Sequence, residues 1–413
     1  MRSVSDHLEA VLEAVVPVAP LDVVLADADG CVLARDVTAT HDLPPVPLAG
    51  HDGYAVRSQD VGQADQSGLR LPVMADARPD SAQVRLVPGT AVLVAAGAPL
   101  PLGADAVVPA ERTDRGRAQV VLTGSVAAGE HVRPAGQDAA AGGVVLRRGT
   151  RIAARHLAVA AALGLGRLWV HPAPRVVVVT VGDELVEPGR RSDGVHDSLG
   201  VALVAAAREA GASAVRVGPI PDDRAALHEV LADQMVRADV LLVTGGLSGG
   251  PWDTVADVLA SMGEVRFDQV ALTPGRRQGF GSLRAEQVDD AAAAGSGGRP
   301  GVPVFALPGH PVAALTSFEM FIRPALRSMA GYAALHRTSV TAAATSELRS
   351  PAGLRQVVPA TIVGNPASGY RVAPAGEPVS LAALAGANAL MIVAEQVSTV
   401  RTGDPVACMI LEA

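Results

Sequence analysis

The sequence contains no lysine, so all 34 of its basic residues are arginine. No basic run is longer than an arginine pair, and the formal net charge is −8. Because nucleic-acid binding depends on clustered positive charge, this balance argues against a nucleic-acid partner. Aromatic residues make up only 2% of the chain, whereas 49% of it is hydrophobic. The core must therefore be built from alanine, valine and leucine.

Cysteine is also scarce, since Cys31 and Cys408 are the only two and neither has a partner at metal-ligand spacing. A disulfide framework or a zinc site is therefore not expected, and a reducing compartment fits. No uncharged apolar stretch reaches the length of a membrane span, and the apolar N-terminal run contains acidic residues. These features predict neither a membrane helix nor a signal peptide, so we expect a cytoplasmic protein.

The chain of 413 residues is too long for one ordinary core, and its pattern changes several times. Mixed helix and strand segments come first, short β-like runs follow, and then helices and strands alternate. We predict a discontinuous mixed domain from residues 1–45 and 140–171, interrupted by a β-rich insertion at 46–139. An α/β domain at 172–332 and a terminal β domain at 333–413 complete the expected layout.

The α/β segment has the clearest pattern. The run RVVVVTV, which begins at Arg175, is continuously β-branched, as is typical of a strand buried on both faces. Helix-like and strand-like segments then alternate as far as the run VPVFAL, which begins at Val302. This alternation predicts a doubly wound parallel sheet.

Three glycine-rich segments follow predicted strands of this sheet, at residues 180–184, 244–250 and 307–311. Ligands of open α/β sheets bind beyond the carboxyl ends of the strands, where glycines let the backbone approach a phosphate. Each loop taken alone is more often a turn that only connects a strand to a helix, but three such loops on one rim favour a ligand site. The carboxylates available nearby as oxygen ligands for Mg²⁺ are Asp183, Glu184 and Asp253.

Eight motifs occur in order along the chain. They are DGYAVR from Asp52, GAPLPLGADAVV from Gly97, RPAGQD from Arg133, TVGDEL from Thr180, PDD from Pro221, GGLSGGPWD from Gly245, PG from Pro274 and LPGHPVAAL from Leu307. Together they resemble the molybdopterin molybdenumtransferase family, which comprises MoeA and the gephyrin E-domain. The resemblance covers nearly the whole chain and implies a MoeA-like multi-domain α/β fold, with a molybdopterin-binding-like α/β domain and a barrel-like terminal β domain.

The resemblance also implies an activity and an assembly. The activity is the insertion of molybdate into adenylylated molybdopterin with release of AMP, supported by Mg²⁺. The assembly is a homodimer, joined through the discontinuous domain, whose active site lies between the α/β domain of one subunit and the β-rich domain of the other. Other molybdenum-cofactor enzymes are possible partners in this scheme.

Roles for individual residues follow from the resemblance. The catalytic positions are Asp52, Glu184, Asp223 and Asp253, of which Glu184 and Asp253 would hold the metal. The cofactor-binding positions are Asp138, Gly182, Asp183, Gly245, Gly246, Ser248, Pro274, Gly275, Arg276, Arg277, Pro308, Gly309 and Pro311.

Several positions differ from the family's usual residues. The family's Phe-Asp-Asn-Ser-Ala-Met loop is VPLAGH at 46–51, and its usual threonine before Gly-Ala-Pro is Ala96. Its Lys-Pro-Gly-Lys-Pro loop reads TPGRR, so we expect Arg276 and Arg277 to bind the anion instead of lysines. These differences leave open a catalytically impaired paralogue that binds molybdopterin or acts as a scaffold. A nucleotide-handling role is a further alternative, because the α/β domain resembles molybdopterin adenylyltransferase modules.

Overall fold

The computed structural model describes residues 1–64, 67–190, 193–245, 247, 250, 253–284 and 301–411. Two predicted cofactor-binding residues, Gly246 and Ser248, lie outside the described residues. The α-helices of the described part are Val4–Ala14, Ala154–Ala162, Ser198–Glu209, Arg224–Met235, Thr254–Met262, Pro311–Ser317, Arg323–Met329 and Leu381–Ala385. A π-helical segment is Phe318–Ile322, and short 3-10 turns are Leu25–Asp27, Ser58–Asp60 and Ala110–Arg112.

The first sheet joins two parts of the chain that are far apart in sequence. Strand Arg167–His171 is antiparallel to both Leu21–Val24 and Val32–Leu33. A separate ladder pairs Val37–Thr38 with Val144–Leu146. Buried aliphatic side chains from both parts of the chain form one hydrophobic core. These pairings bring together the two segments predicted to form a discontinuous domain, although the exact boundaries stay a prediction.

Between these two parts the chain forms a β-rich region. Its five-stranded sheet has the order Ala106–Pro109, Gly53–Val56, Ala91–Val94, Leu69–Ala77 and Gln119–Leu122. A short ladder outside this sheet pairs Leu48–Ala49 with Val132–Arg133. The sheet contains the DGYAVR motif, in which a Cβ at Gly53 would lie only 2.1 Å from the Val108 carbonyl oxygen. Glycine is required there because the neighbouring strand backbone lies so close.

A six-stranded sheet forms the centre of the α/β region. Its strand order is Ser213–Ile220, Arg175–Val181, Val240–Thr244, Val302–Leu307, Arg277–Leu283 and Gly263–Gln269. Val176 and Val178 pack into one hydrophobic core, whereas Val177 and Val179 pack into the core on the opposite face. Because helices cover both faces, the strand is apolar throughout rather than alternating. The predicted doubly wound sheet is therefore confirmed.

One edge of this sheet differs from the all-parallel prediction. Strands Gly263–Gln269 and Arg277–Leu283 are antiparallel to each other, and Arg277–Leu283 is antiparallel to Val302–Leu307. Only residues 270–276 connect the first two strands, which is too short for the helical crossover that parallel neighbours need. Within this connection, Leu272–Thr273 pairs in parallel with the start of Arg355–Asn365 in the terminal region.

The terminal region is a closed barrel of five strands. Arg355–Asn365 pairs with both Gly369–Pro374 and Ala389–Val393, and the ring closes through Pro405–Ile410 and Ser339–Ala344. This closure leaves the barrel without a free edge and confirms the barrel-like terminal β domain. A short ladder outside the barrel pairs Leu348–Arg349 with Thr399–Val400. No helix in the described ranges is long and apolar enough to cross a membrane.

Candidate active site

Five loops that contain predicted site residues meet at one edge of the α/β sheet. The four parallel strands all end at this edge, at Val181, Ile220, Thr244 and Leu307. The antiparallel strand Arg277–Leu283 begins at the same edge, because Gly279 lies opposite Ala306 near the end of its neighbour. The sequence predicted that three of these loops meet at this edge. The strand register shows that the segments 221–223 and 274–277 lie at the same edge.

A cleft of about 90 Å³ opens at this edge. Of the predicted residues, Glu184, Gly245, Gly309 and Pro311 line the cleft. Its other lining residues are Thr180, Val181, Leu185, Val195, His196, Asp197, Ser198, Leu199 and Thr244. Two helices begin at the cleft, since Ser198 and Pro311 are the first residues of their helices.

Close backbone packing explains why glycine occurs beside this cleft. Gly245 has a φ of +108°, and a Cβ there would lie 2.0 Å from the Val181 carbonyl oxygen. Any other residue would force the two neighbouring strand ends apart. Gly182 is buried, and its backbone N–H donates to the Ile220 oxygen at 2.9 Å. The predicted glycine positions thus fix how the strand ends meet.

Three carboxylates lie near one another at the mouth of this edge. The Asp183 Oδ1 accepts a hydrogen bond from the Asp222 backbone N–H at 3.1 Å. Burial raises the pKa of the Asp222 carboxyl, and the negative charges of Asp183 and Glu184 raise it further. Among the described residues, no three His, Cys, Asp or Glu side chains are close enough to form a metal site by themselves.

Two of the predicted catalytic aspartates cap helices. Asp223 accepts a hydrogen bond from the Ala226 N–H at 2.8 Å at the start of Arg224–Met235. Asp253 accepts one from the Ala256 N–H at 3.4 Å in the same way. Each carboxylate therefore already stabilises a helix N-terminus, whatever else it does. Asp253 is only 7% exposed, whereas Asp223 is exposed.

The predicted anion-binding arginines have different surroundings. Arg277 forms an ion pair with Asp253, with Nη2 and Oδ2 2.7 Å apart, and its guanidinium lies 5.8 Å from the Phe267 ring centroid. The neighbouring Arg276 is exposed to solvent. Only Arg277 therefore has a described carboxylate partner, so the two arginines are not equivalent.

The Pro274–Gly275 turn is fixed to the helix Pro311–Ser317. The buried Gln278 amide donates to the Gly275 oxygen at 2.5 Å and to the Ser317 Oγ at 2.7 Å. Gly275 has a φ of +102°, and a Cβ on it would lie 2.8 Å from the Ser317 Oγ. This packing sets the position of Arg276 relative to the cleft.

The Pro308–Pro311 segment forms the other side of the edge. The Thr244 hydroxyl donates to the Pro308 oxygen at 3.3 Å, which links the ends of two neighbouring strands. Pro311 is the first residue of its helix, where proline costs no hydrogen bond because the N–H would have no helical acceptor. Gly309 lies between them and is exposed.

The two predicted site residues outside the α/β sheet do not line its cleft within one chain. The Asp52 Oδ1 accepts a hydrogen bond from the Ala96 N–H at 2.7 Å. Asp138 forms an exposed ion pair with Arg133 at 2.7 Å. Both carboxylates thus have local partners in or beside the β-rich region.

Sequence reasoning missed a buried polar group beside the cleft. Asp197 is 1% exposed and accepts hydrogen bonds from the Thr180 hydroxyl at 2.9 Å and from the Gly200 N–H at 2.8 Å. The guanidinium of Arg216 contacts Asp197 at 3.0 Å. The available signal was the Asp197-Ser198 pair, which precedes an apolar helical run and is typical of a helix cap.

Three family models match successive parts of the chain. The MoeA N-terminal region (domain I and II) matches residues 2–164, and a probable molybdopterin binding domain matches 177–328. The MoeA C-terminal region (domain IV) matches residues 341–411. Together the models cover most of the sequence.

Curated relatives match along nearly the whole length. Molybdopterin molybdenumtransferase 1 of Mycobacterium tuberculosis is 37% identical over 429 residues, covering 98% of this chain and 97% of its own. Molybdopterin molybdenumtransferase 2 of the same organism is 38% identical over 415 residues, covering 98% of each chain. A crystal structure of a molybdopterin biosynthesis MoeA protein from Pyrococcus horikosii has a TM-score of 0.82 at 25% identity, covering 100% of this chain and 99% of that one.

The fold and the cleft define a multi-domain α/β protein with a glycine-lined site at the carboxyl edge of a doubly wound sheet. The matches then settle the family. The chain belongs to the molybdopterin molybdenumtransferase (MoeA) family, a family of transferases in molybdenum cofactor biosynthesis. The resemblance inferred from the eight motifs is confirmed, and the impaired-paralogue alternative is not favoured.

Proposed function

We propose that this protein inserts molybdate into adenylylated molybdopterin and releases AMP. The reaction cleaves the phosphoanhydride bond between molybdopterin and AMP, so it requires a site for the pyrophosphate and a site for a small oxyanion. One observation carries the proposal: glycine backbone, carboxylates and arginines of five loops meet at a single edge of the sheet. The chemistry of those groups matches both requirements.

The pyrophosphate is proposed to bind where two helices begin. Helix N-termini present free N–H groups and a partial positive charge, and both favour a phosphate. The helix Ser198–Glu209 begins in the cleft, and Gly245 and Gly309 line it without side chains that would block the approach of a ligand. Gly182, Pro308 and Pro311 shape the same edge and complete the proposed cofactor-binding set on this side.

Mg²⁺ is proposed to bind together with the substrate rather than before it. This ion often takes one or two carboxylates and completes its shell with water and substrate phosphates, so a preformed set of three protein ligands is not needed. Glu184, in the cleft, and Asp253 are the proposed ligands, with Asp183 and Asp223 in support. The closeness of the Asp183 and Glu184 charges to Asp222 supports this choice, because a cation there would offset their mutual repulsion. Bound Mg²⁺ would offset charge on the pyrophosphate.

Molybdate is proposed to bind at the turn Pro274–Gly275 and the two arginines that follow it. Guanidinium groups bind oxyanions with two parallel hydrogen bonds, which suits a tetrahedral dianion. Arg276 is exposed at the edge, and Arg277 is partly exposed beside it. The fixed position of the turn supports the proposal, because a preorganised site costs less entropy on binding.

The active site is proposed to be completed by a second copy of the chain. The cleft of about 90 Å³ in one chain is far smaller than the roughly 300–1,000 Å³ typical of small-molecule sites. Asp52 and Asp138 are the proposed contributions of the partner, because neither lines the cleft of its own chain. A homodimer joined through the discontinuous first domain would meet this need.

The proposed setting follows from the same chemistry. We place the protein in the cytoplasm, with other molybdenum-cofactor enzymes as recipients of its product. No nucleic acid or membrane enters this scheme, given the acidic charge balance and the absence of an apolar spanning helix in the described ranges.

The proposal is tested by incubating the purified protein with adenylylated molybdopterin and molybdate and measuring AMP. We expect AMP release that depends on molybdate and that falls at least a hundredfold in Glu184→Gln. The matched control is Glu264→Gln, which neutralises an exposed glutamate paired with Arg284 at the end of the sheet away from the cleft and should lose much less activity. Binding of the adenylylated cofactor without any AMP release would instead support a scaffold.

A further inference from the structure

Arg216 lies on the edge strand Ser213–Ile220, and its guanidinium joins two carboxylates. Nη2 contacts Glu187 Oε2 at 2.6 Å, and Nη1 contacts Asp197 Oδ2 at 3.0 Å. These two acids stand near opposite ends of the loop that follows strand Arg175–Val181. One side chain therefore bridges the beginning and the end of that loop.

The bridged loop contains Asp183 and Glu184 near its start. Its two ends also pair as a short parallel ladder, Leu185–Val186 with Val195–His196. Two residues from each end give only a small ladder, with few backbone hydrogen bonds to hold it. The arginine adds charge-assisted hydrogen bonds at the point where the loop returns, and these are stronger than hydrogen bonds between neutral groups.

The bridge continues into the cleft through Asp197. This buried carboxylate contacts Arg216 while it accepts hydrogen bonds from the Thr180 hydroxyl and the Gly200 N–H. Thr180 lines the cleft near the end of strand Arg175–Val181. A chain of polar contacts thus connects the edge strand, the glutamate-bearing loop and the start of the helix Ser198–Glu209.

The absence of a side chain at Gly200 leaves room for the Arg216 side chain. A Cβ at Gly200 would lie 2.4 Å from the Arg216 Cδ, so any side chain there would displace the arginine stem. The Arg216 side chain is 22% exposed, and Asp197 is 1% exposed. Burial of the pair means that solvent screens this contact less than it screens the exposed ion pairs of the chain.

We propose that Arg216 is a positioning residue that fixes Glu184 at the cleft by holding the two ends of its loop together. Arg216 does not touch the substrate in this account; it acts through Glu187, Asp197 and the loop between them. The inference rests on the proposed function for the role of Glu184, whereas the restraint of the loop stands on the contacts themselves.

The first test is backbone hydrogen exchange in the full-length protein without ligand. Arg216→Leu should exchange at least tenfold faster at residues 183–187 and 195–199, and Arg216→Lys should lie between it and the natural protein. The matched control is Arg175→Leu. This change removes an arginine paired with Asp239 at 2.8 Å at the amino ends of the parallel strands, away from the cleft. Glu187→Gln neutralises the more exposed carboxylate of the bridge, so it tests the positioning role even if Arg216→Leu fails to fold.

The second test is steady-state AMP release. We expect Arg216→Leu to raise the Mg²⁺ concentration for half-maximal rate at least tenfold, with Arg175→Leu within twofold of the natural protein. Unchanged exchange in Arg216→Leu and Glu187→Gln, or equal acceleration in Arg175→Leu, would overturn the positioning role. If the natural protein releases no AMP, the proposed function fails, but the exchange experiment still decides whether Arg216 restrains the loop.

Discussion

The guanidinium of Arg277 lies 2.7 Å from the carboxylate of Asp253, joining the proposed anion loop to the proposed metal ligand. Both side chains are largely removed from water, with 26% and 9% of their surfaces exposed. In this arrangement the carboxylate offsets the charge of the arginine. Binding of a cation at Asp253 would compete with Arg277, so cation and oxyanion binding are expected to be coupled.

Replacing Arg276 and Arg277 together with glutamine should weaken molybdate binding at least tenfold. Each charge-assisted hydrogen bond is worth roughly 1.5–3 kcal/mol, and the chain has no lysine to compensate. Isothermal titration with molybdate measures the effect. The control is Arg284→Gln, just beyond the other end of the same strand, where an exposed pair with Glu264 lies far from the edge. Equal affinity in the double variant and the natural protein would place the anion site elsewhere.

The stability of the fold should depend on pH through His7. Burial, and the nearby positive charge of Arg2, lower the pKa of this imidazole from 6.5 to about 4. The side chain is 3% exposed and lies 4.7 Å from the Phe321 ring, and its Nδ1 has no hydrogen-bond partner in the described part of the chain. The folded protein therefore keeps His7 neutral while the unfolded chain protonates it.

The folded protein is therefore less stable at low pH, because the unfolded chain binds a proton that folded His7 does not. The contribution of His7 is fully present above pH 6.5 and is lost progressively as the pH falls from about 6.5 to about 4, amounting to roughly 3 kcal/mol. Urea unfolding at several pH values measures it, and His7→Leu should flatten the curve in this interval. The exposed His336, changed to glutamine, is the control. An unchanged slope in His7→Leu would show that other groups cause the pH dependence.

Restoring the family's threonine at Ala96 should increase turnover. Ala96 is exposed beside Asp52, so the larger side chain fits without repacking. A threonine hydroxyl there could donate to a substrate bound in the cleft of the other subunit. One preorganised contact of this kind can raise the rate roughly fivefold or more. The AMP assay measures the gain. No gain in Ala96→Thr would mean that the alanine does not limit catalysis.

Ala49→Ser provides a contrast within the same region. Ala49 is 1% exposed, and its backbone already bonds to Gly97 and Ala98, so a serine hydroxyl would be buried. Without a new partner this costs about 1–3 kcal/mol of stability. We therefore expect a lower melting temperature and no gain in rate.

Much of the fold was predictable because it depends on local pattern. The valine run from Val176 predicted a strand covered on both faces, and the glycine-rich segments after the strands predicted the edge where the cleft lies. The antiparallel edge was missed because a strand pattern carries no direction. The connection at 270–276 did indicate the direction, because it is too short for the helical crossover that parallel neighbours need.

The pairs that organise the site could not be predicted from the sequence. Arg216 and Asp197 are separated by a helix, and Arg277 and Asp253 by a helix and a strand. Such contacts depend on strand order and register, which composition and periodicity do not specify. The arginine pair at 276–277 was therefore predicted as one anion-binding feature, although one of its members already has a carboxylate partner.

If each active site is shared by two subunits, dimers that mix two inactive variants should regain activity. Asp52→Asn and Glu184→Gln should each be nearly inactive alone, because each removes one half of both sites. When equal amounts are mixed and subunits exchange, half of the dimers carry one intact site, so about one quarter of the natural activity should return. Light scattering should give a mass of twice the chain's 41.8 kDa. A strict monomer, or no recovery after exchange, would contradict the shared site.

AMP release and metal insertion should be one reaction at the edge of the α/β sheet. The most direct measurement is a single-turnover experiment with adenylylated molybdopterin, in which AMP and protein-bound molybdenum are quantified with and without molybdate. We predict equal amounts of AMP and inserted molybdenum, with little of either when molybdate is absent or Glu184 is changed to glutamine. AMP release at the same rate without molybdate, or bound cofactor that acquires no metal, would show that the two events are not one reaction at this site.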